Sequence, residues 1–366
     1  MDERAIGVFD SGAGGLTVLH ECLVTLPHED FVYLGDGARL PYGPRPLGEL
    51  RRFAREIGLF LEAQGVKLVV VACNSATAAA LPELQTELQV PVVGVIAPEA
   101  HAAVQATRNR RIGLLATQAT VSSGRYEELV RALDAGAGVL SVACPRLVPL
   151  IEGDDPFAEE TAVAVREYAA PLKEAGVDTV ILGCTHYPLI RPILQRVFGR
   201  EVTLVFSAEE TAREVAETLA RKQIENDSAR EGSYRFLTTG DVDGFRAMGR
   251  RFLQLPIEKV EHVEIATLEA AALVLVSLGP LRLVSARFIS RVRPEEAELA
   301  IALKPEGNGA QVLARIEELG GQVNTVEYGD DRTMDIVLRA SRRSESARVA
   351  ELLARLEGVE RVQWRP

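Results

Sequence analysis

Two short apolar runs set the frame of this chain. Residues 65–74, Gly-Val-Lys-Leu-Val-Val-Val-Ala-Cys-Asn, align without a gap on residues 176–185, Gly-Val-Asp-Thr-Val-Ile-Leu-Gly-Cys-Thr. Both are rich in β-type residues, reach a cysteine and then turn polar. Each predicts a buried strand that delivers Cys73 or Cys184 at its carboxyl end, where open α/β sheets bind their ligands. Runs 6–11 and 112–117 echo each other too, with Thr117 opposite Ser11. Two echoes at similar offsets argue for an internal duplication, and hence for two related lobes.

Around these runs, strand patterns alternate with helical ones. Further strands are expected at 5–9, 31–34, 91–95, 139–143, 202–205 and 235–239. Helices are expected at 16–26, 47–64, from 74 onward, at 157–175, 208–221 and 242–252. This alternation means mostly parallel sheets flanked by helices, an α/β fold in two pseudo-symmetric lobes. Residues 96–98 read as a crossing point between lobes, and residues 152–155 as an acidic loop. The pattern changes near residue 255. An apolar stretch at 266–283 leads to a strand at 299–303, a helix at 309–319, a hairpin of 322–328 with 334–340, a helix at 346–356 and a strand at 359–364. That order, βαββαβ, is a ferredoxin-like α+β unit. The expected organisation is a first lobe of residues 1–97 with 207–265, a second lobe of 98–206, a linker at 266–284 and a C-terminal domain at 285–366.

Composition narrows the class. The chain has 366 residues, 47% hydrophobic and 25% charged, as in a soluble globular protein of two or three domains. A net charge of −11 argues against a nucleic-acid surface, which needs clustered Lys and Arg. No apolar run reaches transmembrane length and the charged residues 1–4 are no secretory signal, so a cytoplasmic protein without membrane partners is expected. The four cysteines, at 22, 73, 144 and 184, suit a reducing compartment, where thiols are more often catalytic, metal-binding or buried than paired.

Several chemistries fit two cysteines at two strand ends. They could be buried structural residues, although the polar Asn74-Ser75 and Thr185-His186 that follow make poor packing addresses. A zinc site from Cys73, Cys184 and His186 lacks a Cys-x-x-Cys pair to complete it. The remaining idea is proton transfer on both faces of one carbon, which wants a base on one side and an acid on the other. Asp10, a carboxylate at the end of the first strand, and His186 are then plausible partners for the thiols. The loop Asp10-Ser11-Gly12-Ala13-Gly14-Gly15 between strand and helix is either an anion cradle or a tight turn; it is neither a Walker loop nor a dinucleotide fingerprint. Tyr42, in Pro41-Tyr42-Gly43-Pro44, reads by itself as loop packing.

Four motifs together carry a resemblance: Asp10-Ser11-Gly12-Ala13-Gly14-Gly15-Leu16-Thr17, Pro41-Tyr42-Gly43, Ala72-Cys73-Asn74-Ser75-Ala76 and Gly183-Cys184-Thr185-His186-Tyr187-Pro188. They resemble the signature motifs of glutamate racemase, a cofactor-independent family of the aspartate/glutamate racemase superfamily, and the likeness runs to about residue 262. The resemblance implies reversible interconversion of L- and D-glutamate, supplying D-glutamate for peptidoglycan, with no cofactor and no metal. It implies that Cys73 acts on the α-proton of D-glutamate and Cys184 on that of L-glutamate. Asp10 would assist the first thiol, and His186 with Glu152 the second. Ser11, Pro41, Tyr42, Gly43, Asn74, Ser75, Thr117, Thr120 and Thr185 would hold the substrate, largely through hydroxyls and backbone N–H groups. One position departs from the family, with Ser75 where Thr is usual, and the hydroxyl survives.

The glycine-rich turn at 304–309 resembles the ligand loop of ACT domains, which implies a small-molecule effector at the C-terminal domain; a dimerising appendage is the alternative. A homodimer is common in the family and is expected here. Rival functions are an aspartate or other amino-acid racemase of the same superfamily, and a non-catalytic regulatory binding protein on the racemase scaffold.

Overall fold

A computed structural model describes residues 2–226, 228–254 and 256–265, together with Val312 and the segments 295–303, 322–328, 333–340 and 359–365. By its contacts the chain divides into two compact units, Met1–Thr267 and Leu268–Pro366.

The first unit opens with β1 (Ile6–Asp10), α1 (Leu16–Thr25), β2 (Phe31–Gly35), α2 (Leu47–Ala63), β3 (Leu68–Val71), α3 (Asn74–Glu87), β4 (Val92–Gly94) and α4 (Ile96–Ala106). It continues through β5 (Arg111–Ala116), α5 (Gln118–Ser123), α6 (Arg125–Leu133), β6 (Gly138–Ala143), α7 (Leu147–Glu152), α8 (Glu159–Glu174), β7 (Thr179–Gly183), α9 (Arg191–Phe198) and β8 (Thr203–Val205). It closes with α10 (Ser207–Lys222), β9 (Tyr234–Thr238), α11 (Val242–Leu253) and β10 (Val260–His262).

These strands form two wholly parallel sheets, ordered β10-β9-β2-β1-β3-β4 and β6-β5-β7-β8. The four-strand order β2-β1-β3-β4 in the first recurs as β6-β5-β7-β8 in the second. The register recurs as well: Ile6 pairs with Leu68 and Ile112 with Thr179, the positions that echo each other in sequence. Every residue of β1, β2, β3 and β7 is buried, which is why these strands read as continuous apolar runs rather than alternating ones. β3 sits beside β1 and β7 beside β5, so Cys73 emerges next to Asp10, and Cys184 next to Thr117.

Several local expectations change. Residues 96–98 are the first turn of α4, where Pro98 needs no backbone N–H partner. Glu152 closes α7 instead of opening a loop. Helices α5 and α6 meet at Gly124, whose φ of 67° ends one and starts the other. Edge strand β10, three residues long, extends the first sheet.

The second unit holds an antiparallel sheet of β11 (Glu295–Leu303), β12 (Gln322–Tyr328), β13 (Thr333–Ala340) and β14 (Val359–Arg365), in the order β12-β13-β11-β14. The hairpin pairs Tyr328 with Met334. The expected helices at 309–319 and 346–356, the turn at 304–309 and the linker at 266–284 lie outside the described residues.

Candidate active site

The glycine loop after β1 is shaped by close approach. A Cβ on Gly14 would stand 2.5 Å from the His186 ring and 2.6 Å from Thr185 Oγ1, so only glycine lets α1 come this near the Cys184 segment. Within the loop, Gly12 N donates to Asp10 Oδ2 at 3.0 Å, and the carbonyls of Ala13 and Gly14 accept from Leu16 N and Thr17 N of α1. These short-range bonds make it a tight turn.

Both thiols are shielded and free, Cys73 5% and Cys184 7% exposed. The segments that carry them meet, since Thr185, directly after Cys184, reaches Asp10 beside Cys73. Cys73 caps the start of α3, and its Sγ lies 3.9 Å from Ser11 Oγ. Asp10 is fully buried beside it, and Thr185 Oγ1 reaches Asp10 Oδ1 at 3.5 Å. Cys184 Sγ faces His186 Nδ1 at 3.7 Å, and His186 Nε2 is bonded to Glu152 Oε1 at 2.9 Å. The five residues proposed for proton transfer thus fall into two groups. Cys73 has Ser11 and Asp10 near it; Cys184 has a histidine backed by a carboxylate.

The two environments act in opposite directions. Burial and the neighbouring Asp10 charge push the Cys73 thiol far up, so it is held as the protonated acid. Burial works against a charged His186, but its hydrogen bonds to Cys184 and Glu152 outweigh this and push its pKa up to about 10. Phe252 meets the His186 ring edge-on at 5.1 Å, and Arg251 donates to the carbonyls of Ile151 and Gly153 at the end of α7, bracing the Glu152 side from α11.

The hydroxyls expected to hold substrate converge. Ser75 Oγ lies 2.8 Å from Thr117 Oγ1 and 3.4 Å from Thr120 Oγ1, and the two threonines are 3.1 Å apart. Gly43 O accepts from Ala119 N at 2.9 Å, which ties residues 41–43 to α5. Tyr42 turns its side chain the other way: its hydroxyl donates to Asp36 and its ring packs 5.6 Å from Phe53. Only its backbone is left for a ligand. Among the described residues, no three His, Cys, Asp or Glu side chains are arranged to hold a metal ion, and no helix is long and apolar enough to cross a membrane.

Two residues absent from the sequence reading complete the surroundings. Glu99, in α4, is fully buried and accepts from Asn74 Nδ2 and from the Tyr126 hydroxyl; Tyr126, in α6, accepts from Asn74 Nδ2 in turn. Only their companionship with an asparagine beside a reactive cysteine marks them, and sequence does not display it.

Known proteins resemble this chain. The Asp/Glu/Hydantoin racemase family matches residues 25–215. The chain is 43% identical over 267 residues to a glutamate racemase of Carnobacterium sp. St2, covering 72% of this chain and 100% of that one. The crystal structure of glutamate racemase isoform RacE1 from Bacillus anthracis superposes with a TM-score of 0.70 at 41% identity, over 72% of this chain and 99% of that one. That of the Francisella tularensis glutamate racemase in complex with D-glutamate gives 0.68 at 31%, over 72% and 99%.

Proposed function

The chain belongs to the glutamate racemase family of Asp/Glu/hydantoin racemases, and from that premise we propose that it interconverts L- and D-glutamate by a two-thiol acid–base mechanism. It is an isomerase. The observation that carries the mechanism is the unequal pair of thiols at equivalent strand ends. Cys184, with His186 against it, is set as the base for L-glutamate. Cys73, kept protonated, returns a proton from the opposite face to give D-glutamate. The reverse reaction exchanges the roles, with Asp10 the partner assigned to Cys73.

An α-proton is weakly acidic, so the carbanionic transition state depends on fixed dipoles in a dry pocket. The Ser75, Thr117 and Thr120 hydroxyls, Ser11, Thr185, Asn74 and the backbone of residues 41–43 are assigned to the substrate carboxylates and ammonium. Glu152 orients His186 and supports its charge.

The wider reading is a cytoplasmic homodimer that supplies D-glutamate for peptidoglycan. Its two lobes are residues 1–97 with 207–265 and 98–206, and a linker at 266–284 joins them to a ferredoxin-like, ACT-like module at 285–366 that takes a small-molecule effector. The strand order β12-β13-β11-β14 supports the last element, since a βαββαβ unit needs it. The test is circular dichroism of the purified full chain with each enantiomer of glutamate and of aspartate, without added cofactor. Decay of the glutamate signals supports the reading. Decay with aspartate alone moves the substrate, and silence with all four favours a binding protein.

A further inference from the structure

Asn74 follows Cys73 directly and opens α3, and the NH2 end of its side-chain amide is anchored by two neighbouring oxygens. Nδ2 lies 2.9 Å from Glu99 Oε2 and 2.9 Å from the Tyr126 hydroxyl. The tyrosine proton goes to the same Glu99 oxygen, which leaves the tyrosine oxygen free to accept. An amide proton shared between those two oxygens, together with the tyrosine proton, therefore closes a ring of three groups. Turning the amide over would set its oxygen against two oxygens whose donors are already engaged, so the ring dictates which end of Asn74 faces away from it. The end that faces away is Oδ1, which is buried and has no partner among the described residues.

We propose that Glu99 is a positioning residue for substrate: with Tyr126 it orients the Asn74 carboxamide so that Oδ1 is presented as a hydrogen-bond acceptor to the α-ammonium of the amino acid. An ammonium group offers three donors and no acceptor, so an amide oxygen suits it and an amide NH2 would not. A neutral acceptor has a further consequence. It holds the ammonium without cancelling its charge, and that charge acidifies the adjoining Cα–H. Glu99 obeys the same logic. Burial pushes its carboxyl up to about 8, against the pull of its bonds to Tyr126 and Asn74, so near neutral pH it adds little negative charge close to the thiols; the ring requires its proton on Oε1, which has no partner among the described residues, so that Oε2 stays an acceptor. The ring also joins elements of both lobes, α3 on one side with α4 and α6 on the other, so the acceptor is aimed only when the lobes are packed together.

The inference rests on the racemase reading above, and the experiment separates the two. KM and kcat for L-glutamate are measured on the full-length wild type, Glu99→Ala, Glu99→Gln and Tyr126→Phe. Inhibition by glutarate, which keeps both carboxylates and lacks the ammonium, is measured alongside. Glu99→Ala should raise KM about tenfold, roughly the loss of one oriented hydrogen bond to a charged group, with a smaller change in kcat. Glu99→Gln keeps an acceptor for Asn74 and should restore KM to within about threefold, while glutarate inhibition stays the same in every variant. Tyr126→Phe should give a smaller rise in KM, and it decides the matter if Glu99→Ala does not fold. An unchanged KM, or glutarate inhibition weakening in step with KM, would overturn the role of Glu99. A wild type that racemises neither enantiomer would overturn the racemase reading and this inference with it.

Discussion

At the end of β3, Cys73 sits between Ser11 and a buried aspartate; at the end of β7, Cys184 sits against a histidine that a glutamate supports. The two sheets share strand order and register, so backbone position is nearly the same for both thiols. Chemistry differs because of what the neighbouring segments contribute. Asp10 adds a negative charge to a desolvated thiol and holds its proton on. His186 adds a positive one beside Cys184. A duplicated scaffold thus yields two positions of similar geometry and opposite electrostatic surroundings, which is what the proposed two-thiol mechanism uses.

Three perturbations sharpen that comparison, beginning with the largest. Cys73→Ser and Cys184→Ser should each lower kcat by at least about 10³-fold in both directions, since either face without its thiol stops the reaction; thermal melting should show the fold intact. Full activity in either variant would remove the two-thiol account.

The second perturbation breaks only the Cys184 side. His186→Asn should lower kcat about 10²-fold, and Glu152→Gln about tenfold, because the carboxylate acts through the histidine. Equal losses in the two variants would mean that Glu152 touches the substrate itself.

The third reads His186 without substrate. Its folded pKa, about 10, lies above the ordinary value of 6.5, so its charge contributes stability that is complete below about 6.5 and lost as pH rises towards 10. Glu99, raised from 4.5 to about 8, falls off in the same direction at lower pH. Denaturant midpoints of the wild type should therefore fall between pH 7 and 10, and His186→Asn should flatten that fall. A parallel fall in both proteins would show that His186 is not charged in the folded state.

Much of this was legible in the sequence, because parallel strands covered on both faces must be apolar throughout and because the polar residues that end them carry the chemistry. Cys73, Cys184, Asp10 and His186 all stand at strand ends or directly after them. The glycine loop was legible as a turn, but its reason, the approach of His186 to Gly14, lies 172 positions away in the chain. Tyr42 was read correctly when taken as loop packing; as a substrate residue it retains only its backbone, since its hydroxyl serves Asp36. Glu99 and Tyr126 carried no local signal. An acidic residue in the first turn of a helix ordinarily faces solvent and favours the helix dipole, and nothing nearby shows that α6 closes over this one. Helices α5 and α6 were missed because Gly124 interrupts their spacing, and β10 because three residues at a sheet edge make too short a pattern.

The most direct test of the central claim is the fate of the α-proton in D2O. Starting from L-glutamate and stopping at a few per cent conversion, the two enantiomers are separated and their Cα deuterium measured by mass spectrometry. With one thiol serving each face, the D-glutamate formed carries deuterium while the recovered L-glutamate stays protiated. Deuterium entering the recovered L-glutamate as fast as the product would mean that a single group serves both faces, and would contradict the account.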